Sequence, residues 1–290
     1  CLIVIGVLDG GGIIGSAVNK SGLAVERDNG DIADRFFDRV IFPIYSISGR
    51  VIAFGGRTLK SDKSVAKYVN SPQSEIYDKS RSLYGIFQAK GAIGKADKCI
   101  LVEGYADVIS MHQSGIENVV ASSGTSLTEG QIRLIKRFTS NITIMYDGDE
   151  AGIKAALRGT DLVLQEGMHV KVVLLPPEDD PDSFAKSHTT AEILEYIGEN
   201  ECDFIKFKSD LAEKTMGSDP IMKARLINDI IQSISVIPDP ILRSLYVETV
   251  AARFSQSVDD VLARIAEFRE KKLKFDRMRS SSAPSSTTAP

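Results

Sequence analysis

The chain has 290 residues, 43% of them hydrophobic, enough for a real core and for two or three domains. No apolar stretch is long enough to span a bilayer, and CLIVIGVL at the start lacks the basic region of a signal peptide. Cys1, Cys99 and Cys202 lie far apart and His112, His169 and His188 do not cluster. This argues against a zinc ribbon, a redox pair or a histidine-built metal site, and it fits a reducing compartment.

Residues 1–98 read as mixed α/β with many turns. Gly10-Gly11-Gly12-Ile13-Ile14-Gly15 follows the apolar start and formally matches a dinucleotide fingerprint. The helix that should follow meets Gly22 within two turns and no βαβ unit closes behind it, so a glycine-rich turn is expected instead. RVIFPIYS and GRVIAFGGRTL read as strands joined by a hairpin turn at Ser48-Gly49. Residues 50–98 carry ten Lys and Arg against four Asp and Glu, whereas residues 99–200 carry seven against sixteen. A basic segment beside an acidic one suits a polyanion on one surface and cations on the other; ordinary solvated charge gives the same counts.

From Cys99 the pattern becomes strand–helix. CILVEG is a strand, and ADVISMHQSG a helix ended by Gly115. NVVASSG is a strand, and Thr128 opens a helix through Phe138. ITIMYDGD is a strand, AGIKAALRGTDLVLQEG a helix stopped by Gly167, and VKVVLLP the fourth strand. Nearly all-apolar strands alternating with helices predict a parallel sheet covered on both faces. Past residue 200 the period is helical: Leu226, Ile227, Ile230, Ile231 and Ile234 form a stripe, and Asp219-Pro220 and Asp239-Pro240 are helix starts. Ser257 and Asp260 resemble a capping box. SSSAPSSTTAP reads as a linker, with a further module expected after it.

Three strand ends deliver acids: Glu103 with Asp107 a helical turn later, Asp147 and Asp149 around Gly148, and Asp180 and Asp182 around Pro181. In an open parallel sheet, ligands bind beyond the carboxyl ends of the strands. Hard divalent cations take oxygen ligands. Carboxylates crowded together raise one another's pKa unless cations relieve them. Each pair alone is equally well a solvated turn; the repetition points to a magnesium site.

The motifs EGYAD, YDGD and DDPD, in this order, resemble the Toprim domain of bacterial primases, topoisomerases and some nucleases. The flanking DRFFDRVIFPI, GRVIAFGGRTL and AKYVNSPQSEIYDKSRSLYG are similar to the catalytic core of the DnaG-type bacterial primase family, from about Gly22 to about residue 270. The resemblance implies an α/β protein in four parts. These are a basic α+β lobe over residues 1–98, a Toprim-like parallel sheet covered by helices over 99–200, a helical bundle over 201–275 and a linker over 276–290. Residues 1–21 fall outside it. It implies a DNA-directed RNA polymerase that makes short primers from NTPs on single-stranded DNA, with Glu103, Asp147 and Asp149 catalytic. Two Mg²⁺ or Mn²⁺ ions, and no zinc, would be held by Glu103, Asp107, Asp147, Asp149, Asp180 and Asp182. Arg57, Lys67, Tyr68, Asn70 and Lys79, with Ser71 beside them, would meet template and nucleotide. The expected partners are single-stranded DNA, NTPs, the RNA primer and a replicative helicase met through a carboxy-terminal domain beyond this chain. A monomeric, cytoplasmic core is expected. The alternatives are another Toprim nuclease or topoisomerase-like enzyme, or a non-catalytic DNA-binding module.

Overall fold

The computed structural model describes residues 22–26, 29–60, 64–124, 126–216 and 220–281. The apolar start, the glycine run at residues 10–15, Asp219 and residues 282–290 lie outside them. Strands β1 (Ala24–Glu26) and β2 (Ile32–Asp34) pair as a small antiparallel ribbon. Strands β3 (Arg39–Tyr45), β4 (Val51–Thr58) and β5 (Tyr68–Asn70) form an antiparallel sheet in that order, with the β3–β4 turn around Ser48-Gly49. A short 3-10 helix (Lys79–Arg81) and helix α1 (Ile86–Ala96) follow.

The second sheet contains β6 (Cys99–Val102), β7 (Val119–Ala121), β8 (Asn141–Tyr146), β9 (His169–Leu174) and β10 (Cys202–Asp203), in the order β10-β9-β8-β6-β7. Strands β6 to β9 are mutually parallel, as the apolar runs predict. Two residues are too few to carry a pattern, so the antiparallel edge strand β10 was not foreseen. Between the strands lie α2 (Tyr105–Gln113), α3 (Glu129–Ile135), α4 (Glu150–Gln165), α5 (Pro181–Ser187) and α6 (Thr190–Asn200). Helix α3 stops short of Phe138, which the sequence reading had included.

The sheet is buried on both faces, and residue parity sorts it into two cores. Cys99, Leu101, Ile142, Ile144 and Val172 face α1, α3 and α4. Ile100, Val102, Met145 and Val173 face α2, α5 and α6. That alternation follows from the two-residue strand repeat. Burying a side chain such as Leu101 or Ile144 contributes about 1.5–3 kcal/mol each. Helix α1, which the sequence reading grouped with the basic lobe, supplies Ile86, Ala89 and Ile93 to the first of these cores.

Helices α7 (Phe204–Met216), α8 (Pro220–Ser235), α9 (Pro240–Phe254) and α10 (Val258–Ser281) complete the chain. The apolar stripe of α8 is buried at Leu226, Ile230, Ile231 and Ile234 and is continuous with the sheet core. Asp239 caps α9 through the Ile241 and Leu242 amides. Lys208 of α7 donates to Ser233 of α8 at 2.5 Å and lies 3.4 Å from Asp161 of α4, tying the bundle to the sheet. Helix α10 runs to Ser281, past residue 275, because its last turns are rich in Lys, Arg, Leu and Met, which favour helix, and Glu270 pairs with Lys274 at 2.6 Å.

A third core joins the two sheets. Tyr105, the first residue of α2, stacks on Phe42 with ring centroids 5.0 Å apart and meets Tyr84 edge-on at 4.7 Å. A Cβ on Gly55 of β4 would lie 2.5 Å from the Tyr105 ring, so only glycine lets the strand pass this close. The aromatic cluster therefore sets the basic sheet over the start of α2, beside the end of β6.

Candidate active site

The strand order reverses between β6 and β8: from β6 the chain goes to β7 on one side, then crosses to β8 on the other. A crevice forms at such a switch point. Glu103 follows β6 directly and Asp147 follows β8 directly, so neighbouring strands deliver both acids to it. Gly148 holds the second strand end in place by close approach, not by an unusual turn. A Cβ there would sit 2.4 Å from the Leu175 carbonyl oxygen, at the end of β9.

One cavity of about 320 Å³ gathers most of the expected residues. Glu103, Asp107, Asp147, Asp180 and Asp182 line it together with Arg57, Lys67, Tyr68 and Asn70. Asp149 and Lys79 do not line it. Asp149 caps α4, accepting from the Gly152 amide at 2.7 Å. Lys79 sits in the 3-10 helix, where its carbonyl accepts from Gln131 of α3. Ser71 is buried, and its hydroxyl accepts from the Phe54 amide at 3.0 Å, a strand contact.

The acids are not equivalent. Burial pushes the Glu103 carboxyl up to about 7, helped by the charges of Asp147, Asp107 and Asp149. Burial also lifts Asp107 to about 6, with Asp180, Asp147 and Asp182 adding to it against the Gly104 amide, which donates to Asp107 at 2.7 Å. Asp147 is raised by burial and then by Asp180 and Asp149. Asp182 goes the other way. Burial would raise it, but hydrogen bonds from Lys186 and Ser110 and the charges of Lys186 and Arg57 bring it below its ordinary value. Its two oxygens are taken by Ser110 and Lys186.

Burial first, and neighbouring carboxylates second, disfavour the charged forms of Glu103, Asp107 and Asp147, and a bound cation would relieve both effects. Among the described residues no three His, Cys, Asp or Glu side chains converge on one ion position. A closed cage of side chains does not fit that arrangement. Hydrated magnesium, which keeps several waters and takes one or two carboxylates plus substrate phosphates, does.

On the basic side, the Arg57 guanidinium lies 5.7 Å from the Tyr68 ring centroid. Asn70 accepts from the Tyr105 hydroxyl at 2.8 Å and donates to the Ser123 carbonyl at 3.1 Å, so both ends of its amide are engaged. The Ser123 amide in turn donates to the Glu103 carbonyl at 3.1 Å. The loop after β7 is thus part of the site, and the sequence reading missed it. No charged residue marks it; a strand end followed by Ser-Ser-Gly was the available signal.

A parallel sheet that gathers acids at its switch point, beside an antiparallel sheet with Arg57 on β4 and Lys67 just before β5, defines a Toprim-like fold. The family model described as Toprim-like matches residues 100–185, and that for the N-terminal domain of the DNA primase catalytic core matches residues 5–90. The second match begins well before Gly22, so the likeness reaches into the segment that the sequence reading had left out. The chain belongs to the DnaG-type DNA primase family. It is 34% identical to a DNA primase domain from Pseudomonas aeruginosa, with a TM-score of 0.78, over 88% of this chain and 79% of that one. A structure described as the DnaG primase catalytic domain bound to ssDNA matches at 33% identity and a TM-score of 0.74, over 85% of this chain and 81% of that one. The DNA primase of Halalkalibacterium halodurans is 41% identical over 244 residues, 83% of this chain and 40% of that protein. The chain spans about two fifths of the length of the curated relatives it matches. A third family model, the DnaB-helicase binding domain of primase, matches residues 211–259, within the helical bundle. The sequence reading had looked for that contact beyond the chain, because helical periodicity carries no information about a partner.

Proposed function

We propose that the chain is the polymerising core of a DNA primase, joining ribonucleotides into short RNA primers on single-stranded DNA during replication. One observation carries the reading: Glu103, Asp147 and Asp180 share a cavity with Arg57 and Lys67. Acids for cations and bases for phosphates face each other across a space of nucleotide scale. The relative bound to single-stranded DNA supports the template class.

Arg57 offers a planar fork for two phosphate oxygens and Lys67 an exposed point charge. Tyr68 lines the same cavity and offers a ring against a base. The 3′-oxygen of the primer bonds to the α-phosphorus of the incoming NTP, the bond to pyrophosphate breaks, and Glu103 receives the hydroxyl proton. Two divalent ions, Mg²⁺ or Mn²⁺, held by Glu103, Asp147 and Asp180 with Asp107 in support, would neutralise phosphate charge and acidify that hydroxyl, while Asp149 and Asp182, engaged by Gly152, Ser110 and Lys186, would add negative charge beside them. Asn70 positions the loop of Ser123 instead of touching substrate, and Lys79 lies outside the cavity. Residues 211–259 are the segment that meets a replicative helicase. The core acts as a monomer in the cytoplasm, with the replication machinery.

The test is ribonucleotide incorporation on a defined single-stranded template with Mg²⁺ or Mn²⁺. Asp147→Ala should lower it on the order of 10³-fold and leave DNA affinity nearly unchanged. Near wild-type synthesis by the variant would overturn the assignment.

A further inference from the structure

A second cavity, of about 500 Å³, meets the first at Glu103 and Gly124, which line both. Its walls are the loop after β7, with Ser126 and Leu127, and the face of α4 that carries Ala155 and Arg158. Neither Arg57 nor Lys67 reaches it; among its described lining residues the cation is Arg158. The two cavities thus differ in character. The first is polar and strongly charged, while the second combines an apolar wall with one arginine and hydroxyls.

In-line transfer requires the attacking oxygen and the leaving pyrophosphate to lie on opposite sides of the α-phosphorus. If the triphosphate is drawn to Arg57 and Lys67, attack must come from the Glu103 side. Glu103 is a residue that both cavities share. We propose that this second cavity holds the 3′-terminal nucleoside of the growing ribonucleotide strand. Its base lies against Leu127 and Ala155, its sugar hydroxyls lie between Ser126 and Glu103, and its 5′-side phosphate points to Arg158. The inference rests on the polymerase reading above. The volume lies within the range of small-ligand sites, and the mix of apolar wall and few polar groups suits a nucleoside. The 2′-OH is what lets a protein tell RNA from DNA at a site, and a serine hydroxyl such as that of Ser126 can bond to it.

The test supplies the whole chain with a defined template, an oligoribonucleotide and one NTP, and measures KM for each separately. In parallel, an oligoribonucleotide ending in 3′-terminal 4-thiouridine is photo-crosslinked, which needs binding but no turnover. Arg158→Ala and Ala155→Leu should each raise KM for the oligoribonucleotide about tenfold, a loss of about 1.4 kcal/mol, with KM for the NTP unchanged. The wild-type crosslink should map to the loop after β7 or to α4, and weaken in both variants. Melting curves check the fold; Arg158 is exposed, so its variant keeps the test decisive if Ala155→Leu unfolds. A raised NTP KM with oligoribonucleotide KM unchanged would overturn the proposal, as would a crosslink confined to β4 and β5. Extension by wild type with the crosslink elsewhere defeats this inference alone. A crosslink at this cavity without any extension defeats the polymerase reading and leaves the binding site standing.

Discussion

At the scale of single residues, the site is a set of acids that share a place but not a task. Glu103 carries the strongest consequence. Its carboxyl is pushed up to about 7, first by burial and then by three neighbouring aspartates. Glu103→Gln keeps the shape and removes the charge. It should lower primer synthesis on the order of 10²-fold or more and leave template affinity unchanged or slightly tighter, since one repulsive charge is gone. Single-turnover incorporation and fluorescence anisotropy of a labelled template separate the two effects. That acids would stand at these strand ends was legible in the sequence. How each was committed was not. Asp149 caps a helix and Asp182 is claimed by Ser110 and Lys186. Those assignments depend on which amide or hydroxyl the fold turns toward each carboxylate.

At the scale of elements, two junctions keep the site in register. The first is the passage of β4 over α2. A methyl group on Gly55 has nowhere to go, because Tyr105 is held between Phe42 and Tyr84. Gly55→Ala should destabilise by about 1–3 kcal/mol in urea melts. Combined with Tyr105→Ala, it should cost less than the sum of the two single changes, because the clash is then relieved. The second junction lies at the opposite end of the parallel sheet. Glu201, which ends α6, accepts from Lys98 before β6 at 2.8 Å, Thr143 of β8 at 2.5 Å and Lys171 of β9 at 3.0 Å. Burial acts to raise its pKa, but these hydrogen bonds and the Lys98 charge outweigh it, so the carboxyl sits below its ordinary value of 4.5. A carboxylate depressed on folding adds stability above its ordinary pKa, and that stability is lost as pH falls through the folded value. Glu201→Gln should therefore be less stable than wild type by about 2 kcal/mol near neutral pH, with the gap narrowing below about pH 4.5. Thermal melts of both proteins across that range measure it; a gap independent of pH would remove Glu201 from the ion-pair role.

At the scale of the whole molecule, the charge asymmetry read along the chain becomes an arrangement in space. The basic β3–β5 sheet stands over the acid-bearing strand ends, and Arg57 and Lys67 line the same cavity as the acids. If both touch backbone phosphates of the template, Arg57→Ala and Lys67→Ala should each reduce the slope of log affinity against log salt by roughly 0.7. Titrations of single-stranded DNA at several salt concentrations give the slope directly. Equal slopes in wild type and both variants would assign these residues to the nucleotide alone. The bundle of α7 to α10 shares its core with the parallel sheet through Phe204, Ile230, Val250 and Val261.

The sequence by itself determined the parallel sheet, its helices and the acids at its strand ends, because those features are local. Strand periodicity, helix stops and the residue that follows an apolar run are all read within one window of chain. Tertiary structure alone decided which of these acids converge, since that depends on strand order. Placing β6 between β7 and β8 brings Glu103 next to Asp147, and no local pattern specifies it. It also decided that the uncharged loop after β7 belongs to the site, that Asn70 braces this loop, and that Glu103 and Gly124 line two cavities at once. These depend on contacts between residues far apart in the chain, and packing at that range leaves no periodic trace in the sequence.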